Sequence, residues 1–268
     1  MLPLVSIIIP SYNHSRYIVQ ALDSVLADTY PNKEIVVIDD GSKDNSAAVI
    51  EEWILRNPQE KILFHKRENR GICATLNELI MLSSGKYLVL LASDDVLHNN
   101  TISERVEILE KNSNKLVLIS DAEVINEKGE LLFTSSMTDY YKVDKNNYKS
   151  DEGILREILF NFSISGAVVM SNRAIYDLIG MYPVKYKSED LHFYLNSAIV
   201  NKILFFDKVV SKYRRHDSNT SGNGDIELVK SIIQINKKAL FIVSGLNFKL
   251  RLFKRIVGLY YFNFRQLF

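Results

Sequence analysis

The 268-residue chain holds a single cysteine, Cys73, so an intramolecular disulfide framework is excluded and a reducing compartment fits. Charge of either sign is not in excess: 33 Lys and Arg face 32 Asp and Glu, a net +1 that provides no global field for nucleic acid. No stretch of about 18 residues is free of charged side chains, which argues against a membrane span. The opening Met1-Leu2-Pro3-Leu4-Val5-Ser6 lacks the basic flank and long apolar run of a secretory leader. The expectation is a cytoplasmic chain. Two phosphate-binding glycine signatures are also missing. No Gly-x-Gly-x-x-Gly follows the first apolar run and no Walker lysine is present, so neither a dinucleotide fold nor a P-loop is supported. Internal repeats and low-complexity tracts are absent too.

What is present is a core-forming composition, 47% hydrophobic, arranged in a strand-helix rhythm. Val5–Ile9, Ile35–Ile38, Ile62–His65 and Tyr87–Leu91 are continuous apolar runs of strand length. Between them, residues such as Tyr17, Ile18, Ala21, Leu22, Val25 and Leu26 recur at helical spacing. This alternation predicts an α/β fold, a mostly parallel sheet flanked by helices on both faces. Past Leu116 the rhythm loosens. Leu116–Ser120 and Ile164–Met170 read as strands and Asp190–Ile199 as a helix. The polar segment Thr138–Ser150, with three tyrosines, reads as a loop or lid.

In open α/β sheets, ligands bind beyond the carboxyl ends of the strands. Here four successive strands end in polar clusters: Pro10-Ser11-Tyr12-Asn13, Asp39-Asp40-Gly41-Ser42, Arg67 to Gly71, and Ser93-Asp94-Asp95. Each alone is an ordinary turn, because Asp, Asn, Gly and Ser are turn formers. Together they point to one edge and to a site. Asp39 or Asp40 can accept hydrogen bonds from a base or a ribose, and Tyr12 offers a face for stacking. Asp94 and Asp95 are adjacent anions that raise each other's proton affinity unless a cation joins them. Mg²⁺ or Mn²⁺, which takes one or two carboxylates plus phosphate oxygens, is the natural partner. Asp95 is the expected direct ligand.

Downstream, Ser188-Glu189-Asp190-Leu191 opens a helix, where acids favour the N-terminus on electrostatic grounds alone. The functional reading makes Asp190 a general base for an acceptor hydroxyl, with Glu189 second in line. In Tyr213-Arg214-Arg215-His216, His216 is a candidate for the metal or a phosphate, the alternative being a basic strand end at the surface. His14, His65, His98 and His192 show no metal-ligand spacing and read as structural or solvent-facing. From Phe248 to Phe268 apolar residues interleave with five basic ones and no acid. That suits either a helix packed on the domain with snorkelling cations or a segment drawn to anionic lipid.

These motifs resemble the family 2 glycosyltransferases of the GT-A fold. Val5 to Asn13 is similar to that family's opening strand and nucleotide loop, and Glu34 to Ser42 with Asp44 and Ser46 to its second signature. Asn69, Gly71 and Asn77 are similar to the segment before the metal motif, and Ser84 to Asp95 resembles that motif itself. Ala92 stands where many members have aspartate. Glu189-Asp190 matches the Glu-Asp pair whose Asp is the family's base. The resemblance implies an inverting single displacement from a nucleotide-sugar, a UDP-sugar first among them, to a glycan or lipid-linked acceptor, as in bacterial-type surface polysaccharide synthesis. It also implies Mn²⁺ or Mg²⁺, with donor contacts from Pro10, Tyr12, Asn13, Asp39, Asp40, Gly71, Asn77 and Asp94. The expected organisation is a catalytic domain over 1–220, split into a nucleotide-sugar half (1–115) and an acceptor half (116–220). A helical extension over 221–268 follows, with peripheral contact on the inner face of the cell membrane. The alternatives are a sugar nucleotidyltransferase, against which the missing basic Gly-rich loop speaks, and a nucleotide-sugar or glycan-binding module without transfer activity, against which the retained acid pairs speak.

Overall fold

A computed structural model describes residues 1–217, 219, 226–243 and 245–265, with side chains as far as Tyr261. Apolar runs and helical periods in the first 111 residues form β1 (Val5–Ser11), α1 (Ile18–Ala27), β2 (Lys33–Asp39), α2 (Ser46–Arg56), β3 (Ile62–Lys66), α3 (Ile72–Leu82), β4 (Tyr87–Leu90), β5 (Val96–Leu97) and α4 (Ile102–Lys111). Then come β6 (Val117–Ile125), β7 (Leu131–Phe133), α5 (Asp151–Phe160), β8 (Val169–Asn172), α6 (Ile175–Ile179), α7 (Glu189–Ile199), β9 (Ile203–Arg214), α8 (Ile226–Ile242) and α9 (Leu246–Arg265).

The strands make one sheet in the order β3-β2-β1-β4-β8-β6-β9-β5, with β7 paired to β6. Its first four strands are parallel, as the alternating pattern predicts. Beyond β4 the sheet is mixed: β8 runs antiparallel to both β4 and β6, and β9 runs parallel to β6. Both faces are covered. Ile7, Ile9, Val37 and Val89 turn to one face with Ile18, Leu22, Ile50 and Trp53 of α1 and α2. Ile8, Val36, Ile38 and Leu88 turn to the other, against Leu76 and Leu79 of α3 and Leu195 of α7. Period-two side-chain direction therefore splits each apolar strand between two cores.

Two expectations are corrected, and one element is added. The segment Thr138–Ser150 is not a free lid. Tyr148 is fully buried, its hydroxyl 2.9 Å from Ser163 Oγ, and Lys145 Nζ lies 2.8 Å from the buried Asp121 carboxylate. The run Ile164–Met170 enters strand geometry only at Val169. Gly166, at φ 79°, turns the chain where a Cβ would stand 3.0 Å from Tyr213 Cβ. Helix α5 had no counterpart in the pattern; Ser150 caps it by accepting a hydrogen bond from Gly153 N–H at 3.1 Å.

The helical C-terminal extension is present as α8 and α9. Ile235 and Ala239 of α8 and Leu252 and Ile256 of α9 join the same core as α7. The expected boundary at 220–221 lies outside the described residues.

Candidate active site

The parallel register sets Ser11 beside Asp39, bringing the first two polar clusters to one edge. Their loops interlock. Asn13, at φ 57°, donates its N–H to Ser42 Oγ at 2.9 Å and accepts Lys43 N–H at 2.8 Å through Oδ1. Asp39 accepts from Ser42 N–H at 2.9 Å and from its hydroxyl at 2.6 Å. Asp40 is turned inward and used up. It accepts from Arg70 N–H at 2.8 Å and Gly71 N–H at 2.9 Å, and it pairs with the Arg67 guanidinium. Gly71, at φ 82°, can therefore present its N–H and then open α3. Pro10 lies opposite Ile38 in the sheet, and Tyr12 is 42% exposed at the strand end.

Asn77 is not on this edge surface as described. Its amide donates to Tyr182 O at 2.8 Å and accepts from Tyr182 N–H at 2.9 Å, clamping the segment that leads into α7. Both polar ends of the side chain are consumed by backbone, so the sequence reading of Asn77 as a donor contact gives way to a positioning one.

The Asp94-Asp95 pair divides its work. Asp94 Oδ2 lies 3.0 Å from His216 Nε2 and 3.8 Å from His14 Nε2. One ligand-capable atom from each of His14, Asp94 and His216 falls within 4.8 Å of the others. Asp95 is buried behind them. Its Oδ1 accepts Arg214 N–H at 2.9 Å, which ties the loop after β4 to the end of β9. Asp94, not Asp95, thus supplies the carboxylate of the three-residue group, against the expected order of the two. His14, read from spacing as structural, is the residue the sequence missed.

Electrostatics follow from this placement. Burial pushes the Asp94 carboxyl up, but the His216 hydrogen bond, followed by the interaction with His14, outweighs it and leaves it below its ordinary value. Burial and the charge on Asp94 push Asp95 well up. Burial lowers His14 below the usual imidazole range despite Asp94, which favours a neutral ring with a free lone pair. His14 Nδ1 is held 2.8 Å from Ser93 Oγ, fixing the ring from behind.

Arg214 and Tyr17 build the wall of the group. The Tyr17 ring stacks on His216 at 5.0 Å between centroids, and the Arg214 guanidinium lies 4.9 Å from the same ring. Arg214 is fully buried. Its Nε donates to Asp94 O at 2.8 Å and its Nη2 to Gln20 Oε1 at 2.5 Å. Its charge is spent on holding the loop, while Arg215 Nη1 donates to Tyr213 OH at 3.1 Å.

Glu189 and Asp190 start α7 and line a cleft with Leu88 and Leu90 of β4, the strand that leads to Asp94, and with Tyr176, Phe193 and Tyr194. Glu189 is half-buried among these apolar and aromatic groups. Burial, then the charge on Asp190, pushes its carboxyl up to about 8. Asp190 is solvent-exposed on one side and enclosed by protein on the others. Enclosure raises its carboxyl, and hydrogen bonds from Leu191 N–H at 2.6 Å and Ser188 Oγ at 3.2 Å, both to Oδ1, work against the rise. The Cys73 thiol, buried nearby, is pushed up to about 12 and donates to Tyr186 O at 3.1 Å, so it is no nucleophile.

The comparisons with known proteins give the class. The family described as Glycosyl transferase family 2 matches residues 6–173, and the chain belongs to that family. An uncharacterized glycosyltransferase of Rickettsia typhi is 33% identical over 221 residues, 82% of this chain and 66% of that protein. The glycosyltransferase GlyG of Streptococcus pneumoniae is 25% identical, over 88% of this chain and 69% of its own length. The chain thus spans about two thirds of the length of these relatives. Among solved structures, S. aureus TarS 1–349 in complex with UDP-GlcNAc matches with a TM-score of 0.71 and 19% identity, over 96% of this chain and 72% of TarS 1–349. The mannosyltransferase PcManGT of Pyrobaculum calidifontis, in complex with GDP-Man and Mn²⁺, matches at 0.67 and 18%, over 98% and 70%. At these identities the two structures establish the GT-A fold.

Proposed function

We propose that the chain is an inverting glycosyltransferase that moves a sugar from a nucleoside-diphosphate donor, a UDP-sugar, to a hydroxyl of a glycan or lipid-linked saccharide. The reading places it in surface polysaccharide assembly of the bacterial type, at the cytoplasmic side. The observation that carries it is the Asp94 carboxylate set 3.0 Å from His216 and 3.8 Å from His14 at the edge where β1, β2 and β4 end.

That donor set fits a divalent cation. Two imidazoles and one carboxylate suit Mn²⁺ better than Mg²⁺, which prefers oxygen alone. His14, Asp94 and His216 would hold the ion, which when bound neutralises charge on the departing diphosphate. The protein's own groups do the rest. Tyr12 offers its exposed face to the base, and Asp39, fixed by Ser42, presents a rigid acceptor to it. Asp190 takes the acceptor's proton at Oδ2, the oxygen without a hydrogen bond among the described residues, Oδ1 accepting from Leu191 and Ser188. Burial lifts the Glu189 carboxyl to about 8, so Glu189 tends to keep its proton at neutral pH, and Asp190 is the assigned base. Single displacement needs no nucleophile on the protein, and the raised Cys73 thiol provides none.

In this reading 1–220 is the catalytic domain, with donor and acceptor halves at 1–115 and 116–220. Residues 221–268 make peripheral contact with the inner face of the membrane. That TarS and PcManGT were solved with UDP-GlcNAc and with GDP-Man and Mn²⁺ supports donor and cation classes alike. The test is nucleoside diphosphate release from UDP- and GDP-sugars with a glycan acceptor, with Mn²⁺ or with EDTA. Release that requires both cation and acceptor is expected. Pyrophosphate chemistry, binding without release, or release indifferent to EDTA would overturn the reading.

A further inference from the structure

A helix needs one apolar stripe to pack on a core. Helix α9 has two. Leu252 and Ile256 are buried against the domain. At 100° per residue, Leu246, Leu250, Phe253, Val257, Tyr260 and Tyr261 fall on a second face, and each is between 45% and 72% exposed. The spacing runs i, i+4, i+7, i+11, i+14 and i+15, so the stripe is continuous for about 22 Å at 1.5 Å per residue. At the adjoining end of α8, Phe241 is 85% exposed. A helix merely covering the domain would put polar residues there. Instead the polar residues form rims: Lys249 lies on one side of the stripe and Lys254 on the other, both exposed. No acid occurs from Leu246 to Phe268, against five basic residues.

We propose that this second face of α9 is a docking surface for an anionic bilayer, lying in the interface with its axis along the membrane. The proposal deepens the membrane contact of the functional reading by naming the surface that makes it. Charge decides the occupant. An apolar stripe rimmed by lysines on both sides matches a hydrocarbon boundary beneath negative headgroups, with the lysine stems reaching back to them. Pairing with a second copy would be isologous and would set the basic rims of two stripes together with no acid on α9 to offset them. Crossing the membrane is not an option for α9, since no helix among the described residues is long and apolar enough to span.

The test uses the full chain in vesicle flotation, with phosphatidylcholine alone or with roughly one third phosphatidylglycerol. Binding to the anionic vesicles, weakened several-fold by high salt, is expected, with little binding to the neutral ones. Leu250→Ser with Phe253→Ser should lower partitioning by about ten-fold or more. Both positions are exposed, so helical circular dichroism should be unchanged. Lys249→Ser with Lys254→Ser should weaken binding to anionic vesicles through charge alone. Failure of the wild type to float with anionic vesicles, or unchanged flotation of the Leu250/Phe253 variant, would overturn the proposal. So would a wild-type dimer that this variant dissociates in light scattering, because the face would then belong to a second copy. Donor turnover on a soluble acceptor is independent of these outcomes, so docking and transfer can fail separately.

Discussion

Glu189→Gln separates the two acids of α7. In the folded chain burial, followed by the charge on Asp190, lifts the Glu189 carboxyl from 4.5 to about 8. Between those values the unfolded chain has released a proton that the folded chain keeps, so the unfolded state binds fewer protons and stability falls as pH rises. One proton corresponds to about 1.4 kcal/mol per pH unit. Over roughly pH 5 to 7 that amounts to about 2–3 kcal/mol, an upper bound because solvent reaches the cleft. Glutamine has the shape of the protonated acid and nothing to titrate, so the substitution should remove this slope and leave the cleft intact. Urea unfolding of wild type and variant across that range measures it: the variant should gain steadily on the wild type as pH rises. Transfer activity at neutral pH should survive, because a neutral group replaces a neutral one. Parallel stability profiles would refute the burial argument. Loss of transfer as deep as that of Asp190→Asn would refute the assignment of the base.

Asp190→Asn itself should cost about 10²–10⁴-fold in turnover while donor affinity, read by calorimetry, stays unchanged. His14→Ala and His216→Ala should each weaken Mn²⁺ binding and Mn²⁺-dependent donor binding; an unchanged titration for His14→Ala would remove it from the group. Asn77→Ala breaks the two bonds to Tyr182 and leaves that backbone partly unpaired, so it should cost about 1–3 kcal/mol in unfolding free energy. Its KM for donor should not move, and a large rise in KM would restore Asn77 to the donor surface.

The parallel half of the fold was legible because β1 to β4 are continuous apolar runs separated by helical periods, a pattern only a sheet covered on both faces requires. Its strand-end clusters were legible for the same reason: once the strands are parallel, their polar ends must share an edge. The mixed half was not. Strand β9 alternates buried and exposed positions irregularly, and β5 is two residues long and exists only by pairing with it. The group at Asp94 shows the limit most sharply. His14 and His216 are 202 positions apart in the chain and meet only because α1 and the end of β9 converge on the loop after β4. No local spacing could reveal that. Asp94 and Asp95 look alike in sequence, and backbone geometry alone turns one to the two histidines and the other to Arg214 N–H. In the same way, the polar character of Thr138–Ser150 concealed an anchor, because Tyr148 and Lys145 find buried partners on distant elements.

The most direct measurement is calorimetric titration of UDP into the protein with Mn²⁺, with EDTA, and with Mn²⁺ after Asp94→Ala. Binding is expected in the first case and should fall by about ten-fold or more in the other two, since cation and carboxylate form one site. Equal UDP affinity in all three would contradict a cation held at His14, Asp94 and His216, and with it the reading of this edge as the donor site.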